Sequence, residues 1–409
     1  MKIYDVIVIG AGACGMMSAI KSARDGNSVL VLEKLPKIGA KLKATGGGRC
    51  NLTNTLENSD FIDRFGKNGR FMSSALDLLN SKKLREFFTQ IGLKSHSPDG
   101  YRVFPITHDS SSVIKSLNDE MDRLDIDIKC NQRVIDIKIN EIKEVSTKSD
   151  IFYSKNIILA SGGLGYPSLG ADGDGHTISK KLGHNITDLS PAMMPLKTKE
   201  DWVSNCRADT IPKVKIVVDI KKYKKLCAIG DLIFTKNGIR GPVVLDFSRE
   251  ITPLLSKFDE VPILLKLTKF NNQEEIREDF KKRLKINPHQ DTITLLSSIL
   301  PKPISLEICK ISNINPNLSL SKQNGQDRDR LISTILWTPL TIIGHDGFKM
   351  AMITRGGIKL NEINPKTLES KKIKGLYFCG EVVDIDGPCG GYNLQWSFAS
   401  GYLAGSLTT

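Results

Sequence analysis

Ile3-Tyr4-Asp5-Val6-Ile7-Val8-Ile9-Gly10-Ala11-Gly12-Ala13-Cys14-Gly15 runs on through Met16–Asp25 to Val29–Leu32 and Glu33, and this stretch decides the fold. An apolar, β-branched run enters a turn of three glycines, a helical-looking segment follows, and a second apolar run ends on an acid. That order is the dinucleotide-binding fingerprint. Gly10 permits the tight turn. Gly12 lets backbone approach a pyrophosphate, and Gly15 lets the helix pack closely on the strand. Ala13 and Cys14 open the helix, whose free N–H groups and positive dipole end face the phosphates. Glu33, with Lys34 beside it, is placed to accept hydrogen bonds from a ribose hydroxyl. Its charge disfavours a 2′-phosphate, so FAD or NAD is preferred to NADP.

At 409 residues, 40% hydrophobic and 25% charged, the chain has room for two or three domains and a large core. No apolar run approaches the roughly 20 residues of a membrane helix. The N-terminal apolar run is short and feeds the phosphate turn, not a cleavage site. The expectation is a soluble cytoplasmic protein with no membrane association. The net charge of +13 is spread along the chain, as in Lys221-Lys222-Tyr223-Lys224-Lys225 and Lys371-Lys372. This reads as a lysine-rich surface more than as a nucleic-acid interface. Eight cysteines form no Cys-x-x-Cys pair, and six histidines form no HExxH or other ligand pair, so no metal is expected.

Past Glu33, Gly39-Ala40-Lys41 leads to Thr45-Gly46-Gly47-Gly48-Arg49-Cys50-Asn51. A glycine triplet reads as a loop lying against a ligand, with Arg49 supplying charge and donors for a phosphate. Phe61 to Gly92 reads as mainly helical, and Ser110 to Leu124 as a capped helix. Ile126 to Ile139, around Val134, is strand-like and would lend backbone groups to an adenine edge. The strand Asn156–Ala160 enters Ser161-Gly162-Gly163-Leu164-Gly165-Tyr166-Pro167, read as a close approach to the same cofactor. From Pro191 short β-like runs appear (Val214–Ile220, Ile229–Thr235, Val261–Leu267), with Gly238-Ile239-Arg240-Gly241-Pro242 as a tight turn. Gln273 to about Ile335 is helical and charged. The expected divisions are 1–190, a β-barrel-like insert over 191–270, a helical insert over 271–340, and a closing α/β piece over 341–409.

The closing piece holds Thr354-Arg355-Gly356-Gly357, then the strand Gly375-Leu376-Tyr377-Phe378-Cys379-Gly380-Glu381, then Gly390-Gly391-Tyr392-Asn393-Leu394-Gln395 and a helix of small residues, Trp396–Ala404. Glu381, just after a late strand, can bind a ribitol hydroxyl. A helix starting near Tyr392 aims its N–H groups at an anionic acceptor, such as the pyrimidine side of a reduced flavin.

Three stretches together resemble the bacterial BaiN-like, or aminoacetone-oxidase-like, family of FAD-dependent oxidoreductases: Gly10–Gly15, Thr45-Gly46-Gly47-Gly48-Arg49-Cys50-Asn51-Leu52-Thr53-Asn54, and Gly375–Glu381 with Gly390-Gly391-Tyr392-Asn393-Leu394-Gln395-Trp396. The resemblance implies an α/β fold: a Rossmann-type FAD-binding domain in two sequence pieces, with an inserted β-barrel plus helical domain. It also implies that Gly12, Glu33, Lys41, Gly48, Arg49, Asn51, Val134, Gly163, Glu381, Asn393 and Leu394 lie near FAD. The chain departs from the family's Phe-Thr-His-x-Gly-x-Ser-Gly-Pro in the insert. It reads Phe234-Thr235-Lys236-Asn237-Gly238-Ile239-Arg240-Gly241-Pro242, with Lys for His and Arg for Ser, which favours an anionic substrate there.

The expected chemistry is hydride transfer between flavin N5 and a small organic substrate. That substrate would be held among Thr354–Gly357, Thr45–Asn51 and the insert. Lys236, Arg355 and Tyr166 are the candidate catalytic groups, each equally readable as a solvated or structural side chain. No second GxGxxG is present, so NAD(P)H would bind outside that fingerprint, or oxygen would be the acceptor. The alternatives are an FAD-dependent RNA-modifying protein and a flavin-binding protein without turnover.

Overall fold

The computed structural model describes residues 2–407. It divides into two compact units, one built from Met1–Pro191 with Ala351–Thr409, the other from Ala192–Met350.

The first unit is organised by β1 (Ile3–Ile9), α1 (Ala13–Arg24) and β2 (Val29–Leu32). β1 pairs in parallel with β2 and with the nine-residue strand Ile151–Leu159. Val6, Ile7, Val8 and all of β2 are buried, as expected of parallel strands covered on both faces. The strand Asp127–Lys129 extends the sheet beyond β2. On the other side, the long strand is shared. Its first half pairs antiparallel with Lys143–Ser146, and its second half pairs in parallel with Leu376–Phe378 from the C-terminal piece. The strand starts at Ile151, five residues before the apolar run that signals it, because its early residues are half exposed. The single strand expected over Ile126–Ile139 is two short strands, Asp127–Lys129 and Asp136–Lys138, in different parts of the sheet.

The C-terminal helix, Tyr392–Gly405, lies directly on α1. Glycines make that approach possible: a Cβ on Gly401 would stand 2.3 Å from the Cys14 carbonyl oxygen, and one on Gly405 2.4 Å from that of Ser18. The two ends of the chain thus share one core, in which Met16, Met17 and Ile20 of α1 join Trp396, Phe398 and Leu403.

The second unit is a closed six-stranded barrel, in the order Leu196–Thr198, Gly238–Arg240, Cys227–Thr235, Thr210–Val218, Val261–Lys266, Thr338–His345, with its own core. Three expectations are corrected. Gly238–Arg240 is a strand, paired with Ile233–Thr235 and with Leu196–Lys197, so the turn lies at Lys236-Asn237. Pro242–Phe258 is a 17-residue helix inside the stretch expected to be β-barrel-like. Thr338–His345 closes the barrel, so the nucleotide fold resumes at Ala351 and not at residue 341. Four further helices, Gln273–Ile286, Thr292–Ser297, Lys302–Ile311 and Gly325–Leu336, complete the unit.

Candidate functional site

At the carboxyl ends of β1 and the long strand, two glycine turns meet. Gly10 has φ +101, and a Cβ there would stand 2.7 Å from the Ala160 carbonyl oxygen. A Cβ on Gly15 would stand 1.9 Å from the Gly10 carbonyl oxygen, so helix and turn are in backbone contact. Gly12 differs: a Cβ there meets nothing within 4 Å. The same is true of Gly47, Gly48 and Gly162. Two of the six glycines thus pack protein on protein, and a Cβ on any of the other four would meet no protein atom. Gly12 is the N-cap of α1, the place to which the fingerprint brings a pyrophosphate.

Glu33 is 8% exposed and accepts from the backbone amides of Ala11 at 2.8 Å and Leu35 at 2.9 Å. The acid therefore ties the glycine turn to the end of β2. A carboxylate offers about four acceptor sites, so two amides leave capacity for a ribose hydroxyl. Lys34 points elsewhere: it pairs with Asp172 and, at 3.0 Å, with Asp174, and Arg133 bonds the same two acids. Val134 is buried next to this network.

The glycine triplet forms a short 3-10 turn, Thr45–Gly48, with Gly46 and Gly47 left-handed at φ +59 and +66. Exposed Arg49 donates to the Gly46 carbonyl at 3.3 Å, and its guanidinium lies 5.3 Å from the Phe104 ring centroid. Cys50 has φ +58 and is wholly buried; burial pushes its thiol up to about 12. Its side chain is a core element, and only its backbone can face a ligand. Asn51 joins the two ends of the chain. Its amide donates to the Thr53 carbonyl at 2.9 Å and the Val103 carbonyl at 3.2 Å, and accepts from the Gly391 N–H at 3.0 Å.

Gly391 caps the C-terminal helix with φ +86, and a Cβ there would stand 2.4 Å from Thr53 backbone. Asn393 shapes the turn before it, accepting from the Gly387 amide at 2.7 Å and donating to the Gly387 carbonyl at 2.8 Å. Leu394, the next residue, is half-buried. The Tyr392 side chain does not face the open space. It is 2% exposed, packs 4.8 Å from Phe61 and meets the Tyr101 hydroxyl at 2.5 Å. Gly380 has φ +74, and a Cβ there would lie 2.5 Å from the Cys14 sulfur. The Cys14 thiol in turn donates to the Cys379 carbonyl at 3.5 Å.

Glu381 accepts from Lys41 at 2.7 Å and from the Thr354 amide at 2.7 Å, and the Thr354 hydroxyl accepts from the Leu164 amide at 2.7 Å. A Cβ on Gly163 would stand 2.4 Å from that hydroxyl and 2.6 Å from Glu381. Ser161 Oγ is buried without a partner, oriented toward Gly175. Thr354, Glu381, Asp386, Asn393 and Trp396 line one cleft. Gly357 packs on the backbone of Val382–Asp384. Asp384 beside it is held above the ordinary carboxylate range by burial, with Asp386 adding to the rise and Thr187, Lys67 and Arg355 opposing it. Thr354, expected only as part of a substrate-holding loop, instead anchors Glu381 and Leu164, and Asp384 is not among the expected site residues; both owe their place to tertiary packing. Of the expected catalytic groups, Arg355 is half-buried and Tyr166 sits at φ +58 in this unit. Lys236 is exposed at a hairpin turn of the barrel unit.

The mainly parallel sheet and the glycine turns at its strand ends define a Rossmann-type dinucleotide-binding fold, and the family to which the chain belongs makes it an oxidoreductase with FAD as its cofactor. The family profile described as "HI0933-like protein Rossmann domain" matches residues 4–407, and the chain belongs to that family. It is 33% identical over 402 residues to the 3-dehydro-bile acid delta(4,6)-reductase of Clostridium scindens, covering 97% of each chain. It is 27% identical over 409 residues to the ribosomal RNA dihydrouridine synthase of Escherichia coli, covering 98% of this chain and 97% of that one. Among solved structures, the 3-ketosteroid-delta4-(5alpha)-dehydrogenase of Rhodococcus jostii shares the fold, with TM-score 0.52 and 13% identity over 99% of this chain and 97% of that one. Among the described residues, no helix is long and apolar enough to cross a membrane.

Proposed function

We propose that this oxidoreductase reduces a carbon–carbon double bond conjugated to a carbonyl in a small organic substrate. One observation carries the reading. Three full-length relatives are named for two different molecules, a bile-acid dienone and a uridine, and for one reaction type, saturation of a double bond conjugated to a carbonyl. FAD, when bound, supplies the hydride. The residues that would hold it are Gly12 and the N-terminus of α1 at the pyrophosphate, Glu33 at the ribose, and Glu381 with Lys41 at the ribitol. Asn51 and Asn393 fix the helix N-terminus at which negative charge is stabilised. The chain must also polarise the substrate carbonyl and provide a proton. Arg355 and Tyr166 are the residues we assign to those tasks, and NAD(P)H is the reductant we assign.

The test is anaerobic stopped-flow. The purified protein is reduced with NADH or NADPH, then mixed with 2-cyclohexen-1-one, a 3-oxo-Δ4,6 steroid or unmodified ribosomal RNA. Flavin reoxidation by at least one of these acceptors, with formation of the saturated product, supports the reading. Reoxidation by oxygen alone refutes it.

A further inference from the structure

The sequence shows no histidine ligand pair, yet the fold builds one. His96 lies on the short strand Ser95–His96, opposite Phe104 of the strand Arg102–Pro105. His108 follows that strand through a turn in which its N–H donates to the Pro105 carbonyl at 3.0 Å, and it is held at φ +51. The two Nε2 atoms stand 2.8 Å apart, with the rings near-perpendicular at 78° and their centroids 4.6 Å apart. His96 is half-buried and His108 exposed, so solvent reaches the pair.

We propose that His96 and His108 form a binding site for a divalent transition metal, Cu2+ or Ni2+, held by two cis imidazole nitrogens with water in the remaining positions. The spacing selects the metal. With metal–nitrogen bonds of about 2.0–2.1 Å, two donors at a right angle are about 2.9 Å apart, and two at a tetrahedral angle about 3.3 Å apart. The observed 2.8 Å matches the tetragonal or octahedral angle preferred by Cu2+ and Ni2+, not the tetrahedral angle of Zn2+. Among the described residues no third His, Cys, Asp or Glu completes a cluster, so protein supplies two ligands only. Three nearby cations are engaged elsewhere, Arg85 donating to Ser95 Oγ at 3.2 Å. Arg102 is paired with Asp99 at 2.6 Å, and the Arg49 guanidinium stacks over Phe104. The simpler use of the same geometry is an imidazole–imidazole hydrogen bond, and the experiment separates the two.

Holoprotein in a Cys227→Ser background, which removes the exposed thiol, is titrated with Cu2+ and followed by electron paramagnetic resonance. Nitrogen hyperfine structure counts the bound imidazoles. One equivalent with two equatorial nitrogens is expected. His108→Asn and His96→Gln should each leave at most one nitrogen and weaken binding by more than about tenfold. Gln preserves a hydrogen bond to His108 but cannot replace the imidazole. FAD content per chain reports folding, and calorimetry with Ni2+ repeats the comparison without redox chemistry. Equal Cu2+ affinity in the parent and in the double variant, or a parent spectrum with fewer than two nitrogens, overturns the proposal.

Discussion

Glu33→Ala should damage the protein before any cofactor is added. Its carboxylate accepts two backbone amides, from Ala11 and Leu35, at 2.8 and 2.9 Å, and only 8% of the residue is exposed. Hydrogen bonds to a charged group are worth about 1.5–3 kcal/mol each. Both bonds share one carboxylate and are not independent, so the expected loss in apoprotein stability is about 3–4 kcal/mol. In a unit of this size that lowers Tm by roughly 6–15 °C. Glu33→Gln keeps one acceptor oxygen and places an NH2 against the second amide, so it should lose about 1.5–3 kcal/mol. On top of this, each variant should bind FAD about ten- to a hundredfold more weakly through the lost ribose contact. The assay is denaturant unfolding of apoprotein with parallel FAD titration by flavin fluorescence. Apoprotein of unchanged stability would refute the anchoring role, and weakened FAD binding on an unchanged scaffold would assign Glu33 to the ribose alone.

Other perturbations follow from the same geometry. Gly401→Ala sets a methyl 2.3 Å from the Cys14 carbonyl oxygen, so the C-terminal helix must shift from α1. A stability loss of at least 1–3 kcal/mol is expected by urea melt, roughly the cost of overpacking. Asn51→Ala removes the acceptor for the Gly391 amide and two donated bonds, and should lower stability by about 1–3 kcal/mol in a urea melt and raise the FAD dissociation constant in equilibrium dialysis. Burial works to raise the Glu362 carboxyl but is outweighed by hydrogen bonds from Lys372, Asn185 and His184, which hold it at about 2 against an ordinary 4.5. A depressed folded-state value gives stability that is present above pH 4.5 and drains away as pH falls toward 2. Glu362→Gln should flatten that acid limb in a Tm-against-pH series.

The nucleotide half of the fold is legible because local chemistry and tertiary use coincide. Gly10 and Gly15 are glycines because a Cβ would strike the Ala160 and Gly10 carbonyl oxygens, and β1 and β2 are apolar because both faces are covered. The barrel is less legible. Gly238-Ile239-Arg240 looks like a turn by composition and becomes a strand only through pairing with Leu196–Lys197. Pro242–Phe258 has apolar residues at helical spacing (Val244, Phe247, Ile251, Leu254) and proline in its first turn, but it opens on Pro-Val-Val-Leu, carries Pro253 inside and has no side-chain cap, so the β-branched start masks the helix. The Lys41–Glu381 pair and the His96–His108 pair join residues that no local pattern connects. Lys34, Cys50 and Tyr392 sit at motif positions, yet their side chains serve ion pairing or packing, because a motif fixes backbone placement more tightly than side-chain direction.

The central claim is that the two ends of the chain hold one FAD. Amide hydrogen exchange of apoprotein against FAD-loaded protein tests it most directly. The account predicts slowed exchange in both the Gly10–Gly15 turn and the Gly390–Leu394 turn, saturating together at one FAD per chain. Slowing in only one of the two turns, or in neither, would contradict it.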